Sequence, residues 1–342
     1  MRRPVTAAAV LFSLLATGCG ATVAKPPAKA PASSSSSAVT LTNCGQRVTY
    51  DRVPKRVVTN DVGITELMFA LGLEDRMAGF AMPDDKGDLT GVPWKDGYDK
   101  VKWLSRQQLT KENVLDARGD WVFAGWNYGF RDDNGFTPDA LKKLGIPSYV
   151  LTESCRNGRT KSSRGIMPPL EALYTDLTNL GKLFGVEQRA AALIAGFKKQ
   201  VAAVAAKAPT GSARPKVFLY DSGTDSPFTS GRYAAPEEVI SKAGGVNVMN
   251  DLADSWTTVG WESVVERDPD VIVICDYGDV SAEQKRRFLL SYAPLRNVTA
   301  VKHQRIFVLD YVDLVESPRN PSAIARLGGY LRSVADTTKP AS

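Results

Sequence analysis

Carboxylates are plentiful in this chain, but the partners that would make them catalytic are not. Asp84-Asp85, Asp132-Asp133 and Glu237-Glu238 are adjacent pairs whose side chains point apart and suit solvated surface. General acid–base work needs two carboxyls facing each other across a bond. The single histidine, His303, lies in the polar run Val301-Lys302-His303-Gln304-Arg305. One histidine assembles neither a Ser/His/Asp triad nor a multi-His metal site. A GxxxxGKS/T phosphate loop and a GxGxxG turn after a strand are both missing from the sequence. No catalytic residue and no metal ligand is therefore assigned. The lesser alternative, a carboxylate-dependent extracellular enzyme, would rest on Asp221 or Asp276.

Aromatic residues set in polar loops point instead to binding. Trp126 and Tyr128 sit in Gly125-Trp126-Asn127-Tyr128, Tyr277 follows Asp276, and Trp103, Trp256 and Trp261 lie in further connecting segments. Loops of this kind build a broad, partly apolar cleft for a bulky ligand, with a few polar groups fixing its orientation. Asn60, Met82, Asp221 and Tyr311 occupy comparable positions, and Arg106, Arg131 and Arg319 are the cations placed nearest such a cleft. The expected ligand set is Asn60, Met82, Trp103, Arg106, Trp126, Tyr128, Asp221, Trp256, Trp261, Tyr277, Tyr311 and Arg319.

These residues become neighbours through a repeating grammar of short β-branched strand, polar loop and helix. It reads Arg56 to Thr59, then Arg76 to Phe80, Trp121 to Ala124 and Pro147 to Leu151 in the first half. It restarts with Lys216 to Tyr220, Asp270 to Cys275 and Arg305 to Leu309, and closes on a helix from Pro321 to Ala335. Between the halves, residues 169–207 keep helical character, with Leu193, Ile194, Phe197, Val201 and Val204 at helical spacing. The expected fold is α/β: two Rossmann-like lobes, 41–168 and 208–336, joined by a single long helix over 169–207, with the ligand cleft between them. Ligands of open parallel sheets bind beyond the carboxyl ends of the strands, and Asn60, Met82, Trp126, Asp221, Tyr277 and Tyr311 lie at those ends.

The amino terminus predicts export. Arg2 and Arg3 precede an apolar run from Val5 to Ala16, and Leu15-Ala16-Thr17-Gly18-Cys19 reads as a lipoprotein cleavage site, with Ala16 where a strict lipobox has Leu. Residues 1–18 are the expected signal peptide and Cys19 the lipidated residue. The Ala/Pro/Ser-rich stretch 19–40 is an expected tether, since it has too little apolar surface to fold. The protein is thus placed on the extracytoplasmic face of the membrane, lipid-anchored and monomeric. In an oxidising compartment the remaining cysteines predict one disulfide. Cys44 and Cys155 lie in polar, irregular sequence and are the expected pair, whereas Cys275 ends the apolar run Val271 to Ile274 and stays outside the bridge. A content of 43% hydrophobic and 23% charged residues is that of an ordinary globular body. The formal charge of +6 includes Arg2 and Arg3 and is spread along the chain, so no nucleic-acid site is inferred.

Pro54-Lys55-Arg56-Val57-Val58, Thr65-Glu66-Leu67 with Ala70-Leu71-Gly72, Ala243 to Val248, and Trp261-Glu262-Ser263 leading to Asp268-Pro269-Asp270 occur in an order that resembles the iron-siderophore and cobalamin branch of ABC-importer substrate-binding lipoproteins. The resemblance runs from about Cys44 to Ala335. It implies a rigid two-lobe clamp delivering its ligand to a permease and ATPase, each lobe docking through one surface carboxylate. Glu66 matches the N-lobe docking position. In the C-lobe, Ser241 and Lys242 stand where the family has its acid, and Glu238, one turn earlier, is taken instead. A ferric siderophore is already coordinatively saturated, so its binder needs aromatic walls and matched charges, with no covalently bound cofactor. Hydroxamate complexes suit Trp and Tyr faces, whereas catecholates call for a denser Arg/Lys cluster. Haem and cobalamin remain as alternatives within the same branch, and a surface sensor would use the same clamp.

Overall fold

Apolar runs covered on both faces become the central strands of two parallel sheets, because a parallel strand has no solvated side to tolerate polar alternation. The computed structural model describes residues 38–82, 86–157 and 163–338. The leader, Cys19, most of the tether and the Asp84-Asp85 pair lie outside the described residues. The chain is already in a strand at Val39, inside the stretch expected to be tether.

The N-lobe begins with a hairpin of β1 (Val39–Asn43) and β2 (Gln46–Tyr50). Its sheet comprises β3 (Val57–Asn60), β4 (Met77–Ala81), β5 (Trp103–Ser105), β6 (Trp121–Trp126), the short β7 (Gly129–Phe130) and β8 (Ser148–Val150). The order is β5-β4-β3-β6-β7, with β8 also paired to β6, and every pairing is parallel. Helices α1 (Val62–Ala70), α2 (Gly97–Lys100), α3 (Lys111–Asp116) and α4 (Pro138–Lys143) make the connections. Trp121 is fully buried and meets Tyr50 at 6.0 Å and Phe184 at 5.7 Å, so one indole joins hairpin, sheet and bridge.

The single bridging helix expected over 169–207 is two helices, α5 (Pro169–Phe184) and α6 (Glu187–Ala205), parted at the Phe184-Gly185-Val186 interruption visible in the sequence. Gly185, at φ 70°, ends α5 in the left-handed conformation that a side chain disfavours. Helix α5 bridges, touching the hairpin and the 3-10 turn Thr152–Ser154 on one side and the first C-lobe helix on the other, and Arg189 of α6 adds a second link by donating to the Ala70 carbonyl of α1 at 2.8 Å. Helix α6 packs back on α5 and onto the C-terminal helix.

The C-lobe contains β9 (Lys216–Tyr220), β10 (Phe228–Ser230), α7 (Ala235–Lys242), β11 (Val246–Asn247), β12 (Trp256–Thr258) and α8 (Trp261–Arg267). It continues through β13 (Val271–Asp276), α9 (Ala282–Ser291), α10 (Thr299–Lys302), β14 (Ile306–Asp310), α11 (Tyr311–Leu314) and α12 (Asn320–Thr338). Its parallel sheet runs β11-β9-β13-β14, and β10 pairs antiparallel with β12 beside it. Cys44 and Cys155 form a disulfide tying the hairpin to the end of the N-lobe, and Cys275 is buried in β13. Among the described residues no helix is long and apolar enough to cross a membrane.

The lobes meet closely. A Cβ on Gly63, in the first turn of α1, would collide with the backbone of Glu316 in the C-lobe, so glycine is what permits this approach.

Candidate functional site

Each sheet delivers its strand ends to the seam between the lobes, and the cleft there has a volume of about 140 Å³. From the N-lobe come Asn127 and Tyr128, just after β6, and Arg164. Asp221 follows β9, Phe228 lies on β10, Trp256 on β12, Tyr277 follows β13 and Tyr311 opens α11. Two stacked pairs form the C-lobe wall. The rings of Phe228 and Trp256 are 5.8 Å apart and inclined by 23°, a geometry set by β10–β12 pairing; those of Tyr277 and Tyr311 are 4.2 Å apart, also at 23°. Offset stacking of this kind holds flat apolar surface rigid at little entropic cost.

Polar groups in the cleft are held by second partners. The Arg164 guanidinium donates to the Trp256 carbonyl and lies 3.9 Å from Asp254. Asp221 is buried and accepts from the Ser222 hydroxyl at 3.4 Å. Tyr311 donates across the seam to Asp61 Oδ2 at 2.6 Å, and Tyr128 donates to Glu153 Oε1 at 3.3 Å. Burial, with the facing carboxylates Glu153 and Asp61 adding to it, raises the Tyr128 and Tyr311 phenols far above the usual tyrosine range, so both stay protonated donors. Asp61 sits at φ 79°, unusual for a residue with a side chain. That turn lets one carboxylate cap α1 through Gly63 N–H, at 2.9 Å, while its other oxygen receives Tyr311.

Two parallel lobes with a seam lined from their carboxyl-terminal strand ends also match a known family: residues 57–312 fit the family described as periplasmic binding protein. The chain belongs to the periplasmic binding protein family. The uncharacterized ABC transporter substrate-binding lipoprotein YvrC of Bacillus subtilis (strain 168) is 24% identical over 315 residues, 90% of each chain. A periplasmic binding protein from Veillonella parvula dsm 2008 superposes with a TM-score of 0.72 at 27% identity, covering 86% of this chain and 98% of that one. An ABC-type Fe3+-hydroxamate transport system protein from Saccharomonospora viridis DSM 43017 superposes with a TM-score of 0.70 at 23% identity, covering 85% and 98%. The last likeness is one of fold.

In this periplasmic binding protein, Tyr128, Asp221, Trp256, Tyr277 and Tyr311 come together in the cleft. The other residues expected there do not line it. Asn60 is buried and structural: its amide donates to Gln108 Oε1 at 2.7 Å and accepts the Leu109 N–H at 2.8 Å, pinning the loop after β5. Met82 is in the core. Trp103 stacks on Phe80 at 6.0 Å and carries Arg106 over its ring at 4.7 Å. Trp126 lies beneath Arg156, 3.4 Å away, and Arg131 pairs with Asp133. Trp261 is core of the C-lobe, its indole N–H satisfied by the Thr224 carbonyl at 2.8 Å.

Glu66 and Arg319 require the largest correction. Neither is on a surface or in the cleft: Glu66 is wholly buried, Arg319 is 5% exposed, and they form a two-pronged ion pair across the lobes. Trp94 Nε1 and Tyr98 Oη also donate to Glu66, at 2.8 and 2.6 Å. A carboxylate with four donors and no solvent cannot reach a docking partner. Glu238 is half-buried, 3.8 Å from Lys242, and burial raises its carboxyl above the ordinary glutamate range, so it too is poorly placed for surface pairing.

Asn127, Arg164 and Phe228 line the cleft and were not in the expected set. Asn127 adjoins two residues that were, and its φ of 67° turns the chain after β6. Phe228 follows the polar run Asp221 to Pro227, a signal of the same kind as those used for tryptophan. Arg164 lies in a long polar stretch from Arg156 to Gly165, where nothing in the local sequence separates it from its neighbours.

Proposed function

We propose that this protein is the substrate-binding lipoprotein of an ABC importer, lipid-anchored through Cys19, and that it captures a ferric siderophore, of hydroxamate type, for delivery to a permease and its ATPase. The observation that carries this reading is the composition of the cleft: two stacked aromatic pairs with one arginine and one aspartate. Aromatic faces hold the organic shell of a saturated chelate, and one cation balanced by one anion suits a neutral or weakly charged complex. An anionic catecholate would call for clustered cations. Haem would call for an axial ligand, and of the three cleft tyrosines Tyr128 and Tyr311 already give their hydroxyls to Glu153 and Asp61 while Tyr277 is stacked on Tyr311. Family membership and the likeness to YvrC support the importer role.

A volume of 140 Å³ is well below the roughly 300–1,000 Å³ of sites that enclose a whole drug-sized ligand. A siderophore therefore engages this cleft with one face or arm. Titration of residues 36–342 with ferrioxamine B, a ferric catecholate, haemin and cyanocobalamin, followed by tryptophan fluorescence, tests the reading. Saturable quenching by ferrioxamine B that is lost in Trp256→Leu supports it; quenching by another member of the panel alone refutes the hydroxamate assignment.

For docking, the two lobes offer equivalent carboxylates. Glu112 is the second residue of α3, nine residues before β6 begins at Trp121; Glu262 is the second residue of α8, nine before β13 begins at Val271. Both are exposed, and each has an exposed aliphatic three residues on, Leu115 at 52% and Val265 at 38%. We assign permease docking to this pair in place of Glu66 and Glu238.

A further inference from the structure

Three buried carboxylates meet where the lobes and the bridge converge. Glu153 belongs to the 3-10 turn Thr152–Ser154 of the N-lobe, Asp176 to α5, and Glu316 to the C-lobe segment between α11 and α12. Glu153 and Glu316 exchange hydrogen bonds: the Glu153 N–H donates to Glu316 Oε2 at 3.0 Å, and the Glu316 N–H donates to Glu153 Oε2 at 2.9 Å. Asp176 accepts from the Tyr149 hydroxyl at 2.7 Å, from the Thr152 N–H at 2.8 Å and from the Thr152 hydroxyl. One oxygen is left over. Glu316 Oε1 is buried and has no donor to accept from.

The cation acting on this group is Arg164, which is itself occupied by Asp254 and the Trp256 carbonyl. The other titratable groups facing it are Tyr128 and Tyr149, both neutral, and Asp61 lies beyond Tyr128. Among the described residues no free cation lies nearby, three charges without one are costly in a dry site, and the orphaned oxygen is where a proton fits. Asp176 already accepts from three donors whereas the buried Glu316 Oε1 accepts from none, so Glu316 is the group fitted to carry a proton toward Asp176. Burial, then the charges of Asp176 and Glu153, hold the Glu316 carboxyl well above the usual range, and burial raises Glu153 to about 7.

The cluster also touches the cleft from both sides. Glu153 Oε1 accepts from Tyr128, an N-lobe wall residue, and from the Ser255 hydroxyl at 3.3 Å, next to the C-lobe wall residue Trp256. We propose that ligand retention is proton-coupled: protons held by the Glu153–Asp176–Glu316 group keep the two walls of the cleft in register, and their loss loosens the grip on ligand. This rests on reading the seam as the ligand site. Linkage makes the effect reciprocal, so a ligand that needs the tightened cleft raises the proton affinity of the group.

Glu316→Gln is the informative variant, because its amide N–H can replace the acid O–H toward Asp176 and preserve the fold. Infrared difference spectra between about pH 6 and about pH 9 should contain a protonated-carboxyl carbonyl band that is weakened in Glu316→Gln, where Glu153 alone is left to supply it, and unchanged in Glu112→Gln. Ferrioxamine B affinity should fall roughly tenfold over that range in the wild type and clearly less in Glu316→Gln. A wild-type band identical to that of Glu316→Gln overturns the proton assignment; the band with a flat wild-type affinity overturns the coupling. Should ferrioxamine B not bind, the ligand reading fails by itself, and the ligand-free emission of Trp256 decides the coupling. A pH-dependent shift weakened in Glu316→Gln supports it, and the same profile in both proteins overturns it.

Discussion

Replacing Arg319 with methionine should unfold this protein far more readily than a surface substitution would. Arg319 donates Nε and Nη2 to Glu66 and Nη1 to the Asp88 carbonyl at 2.8 Å, so it ties α1 and the loop before α2 to the start of α12. Methionine fills most of the space but leaves Glu66 a buried anion with Trp94 and Tyr98 as its remaining donors. Breaking a buried pair from one side costs about 3–5 kcal/mol, because the surviving charge is uncompensated. For a body of this size each kcal/mol lowers Tm by about 2–4 °C, so the expected loss is on the order of 10 °C. Glu66→Leu should cost a similar amount.

The double variant Glu66→Leu/Arg319→Met removes both charges and should recover a large part of the loss, as neutral replacements of buried pairs often do. Thermal melts and urea titrations of the four proteins measure the coupling. A drop of less than about 2 °C in Arg319→Met, with Glu66→Gln abolishing uptake at unchanged Tm, would falsify the buried pair and return Glu66 to the surface.

Glu153 should make stability depend on pH. Its folded-state carboxyl, raised by burial from 4.5 to about 7, binds its proton more tightly than the unfolded chain does. Its contribution is thus fully present below about pH 4.5 and lost as pH rises through about 7, a change of about 3 kcal/mol that Glu153→Gln should flatten in urea titrations. The Cys44–Cys155 bridge closes a separation of 111 residues, and its removal in Cys44→Ala/Cys155→Ala should cost about 4–5 kcal/mol on the loop-entropy account, read from the denaturation midpoint. Glu112→Lys or Glu262→Lys should cut uptake in cells by about tenfold or more while leaving Tm and ligand affinity unchanged, since charge reversal at an interface repels a basic partner; normal uptake in both would remove them from docking. Gly63→Ala should lower Tm by several degrees by driving a Cβ into the Glu316 backbone, and an unchanged melt would mean the lobes sit farther apart.

Strands were legible where burial is two-sided. Lys216–Tyr220 appears as read, and the strands read from Arg56 and Arg305 begin one residue later, at Val57 and Ile306. Runs of Val, Ile and Phe with covered faces admit few other structures. Short edge elements such as β5, β10 and β12 carry no such run, and their pairing is decided by tertiary contact. The site was legible to the same degree. Tyr277 and Tyr311 announce themselves by following strands, whereas Trp103 and Trp261, read as loop residues, open β5 and α8 and turn inward onto Phe80 and Tyr220. A loop tryptophan has two apolar faces, and whether they meet a ligand or the core depends on neighbours far away in sequence. Glu66 makes the point most clearly: its partners lie at Trp94, Tyr98 and Arg319, and no local pattern around Thr65-Glu66-Leu67 encodes them.

Among the polar ties that cross the seam are Asp61 to Tyr311, Glu66 to Arg319, and Glu153 to Glu316. Apolar packing alone would let the lobes slide, because dispersion and burial reward area with little regard for register. Hydrogen bonds between buried groups are directional, and separating the lobes would expose each donor and acceptor at once or strand it. Of the three, Asp61–Tyr311 and Glu153–Glu316 share residues or immediate contacts with the cleft, whereas Glu66–Arg319 lies against the loop around Asp88, away from the cleft walls. A ligand can shift a conformational equilibrium only by the difference in its contacts between the two states. Contacts made in the cleft therefore act directly on Asp61–Tyr311 and Glu153–Glu316, and on Glu66–Arg319 only through movement of the lobes. The Glu66–Arg319 pair resists that movement independently of any contact in the cleft, and a partner bound at Glu112 and Glu262 would grip both lobes from outside it.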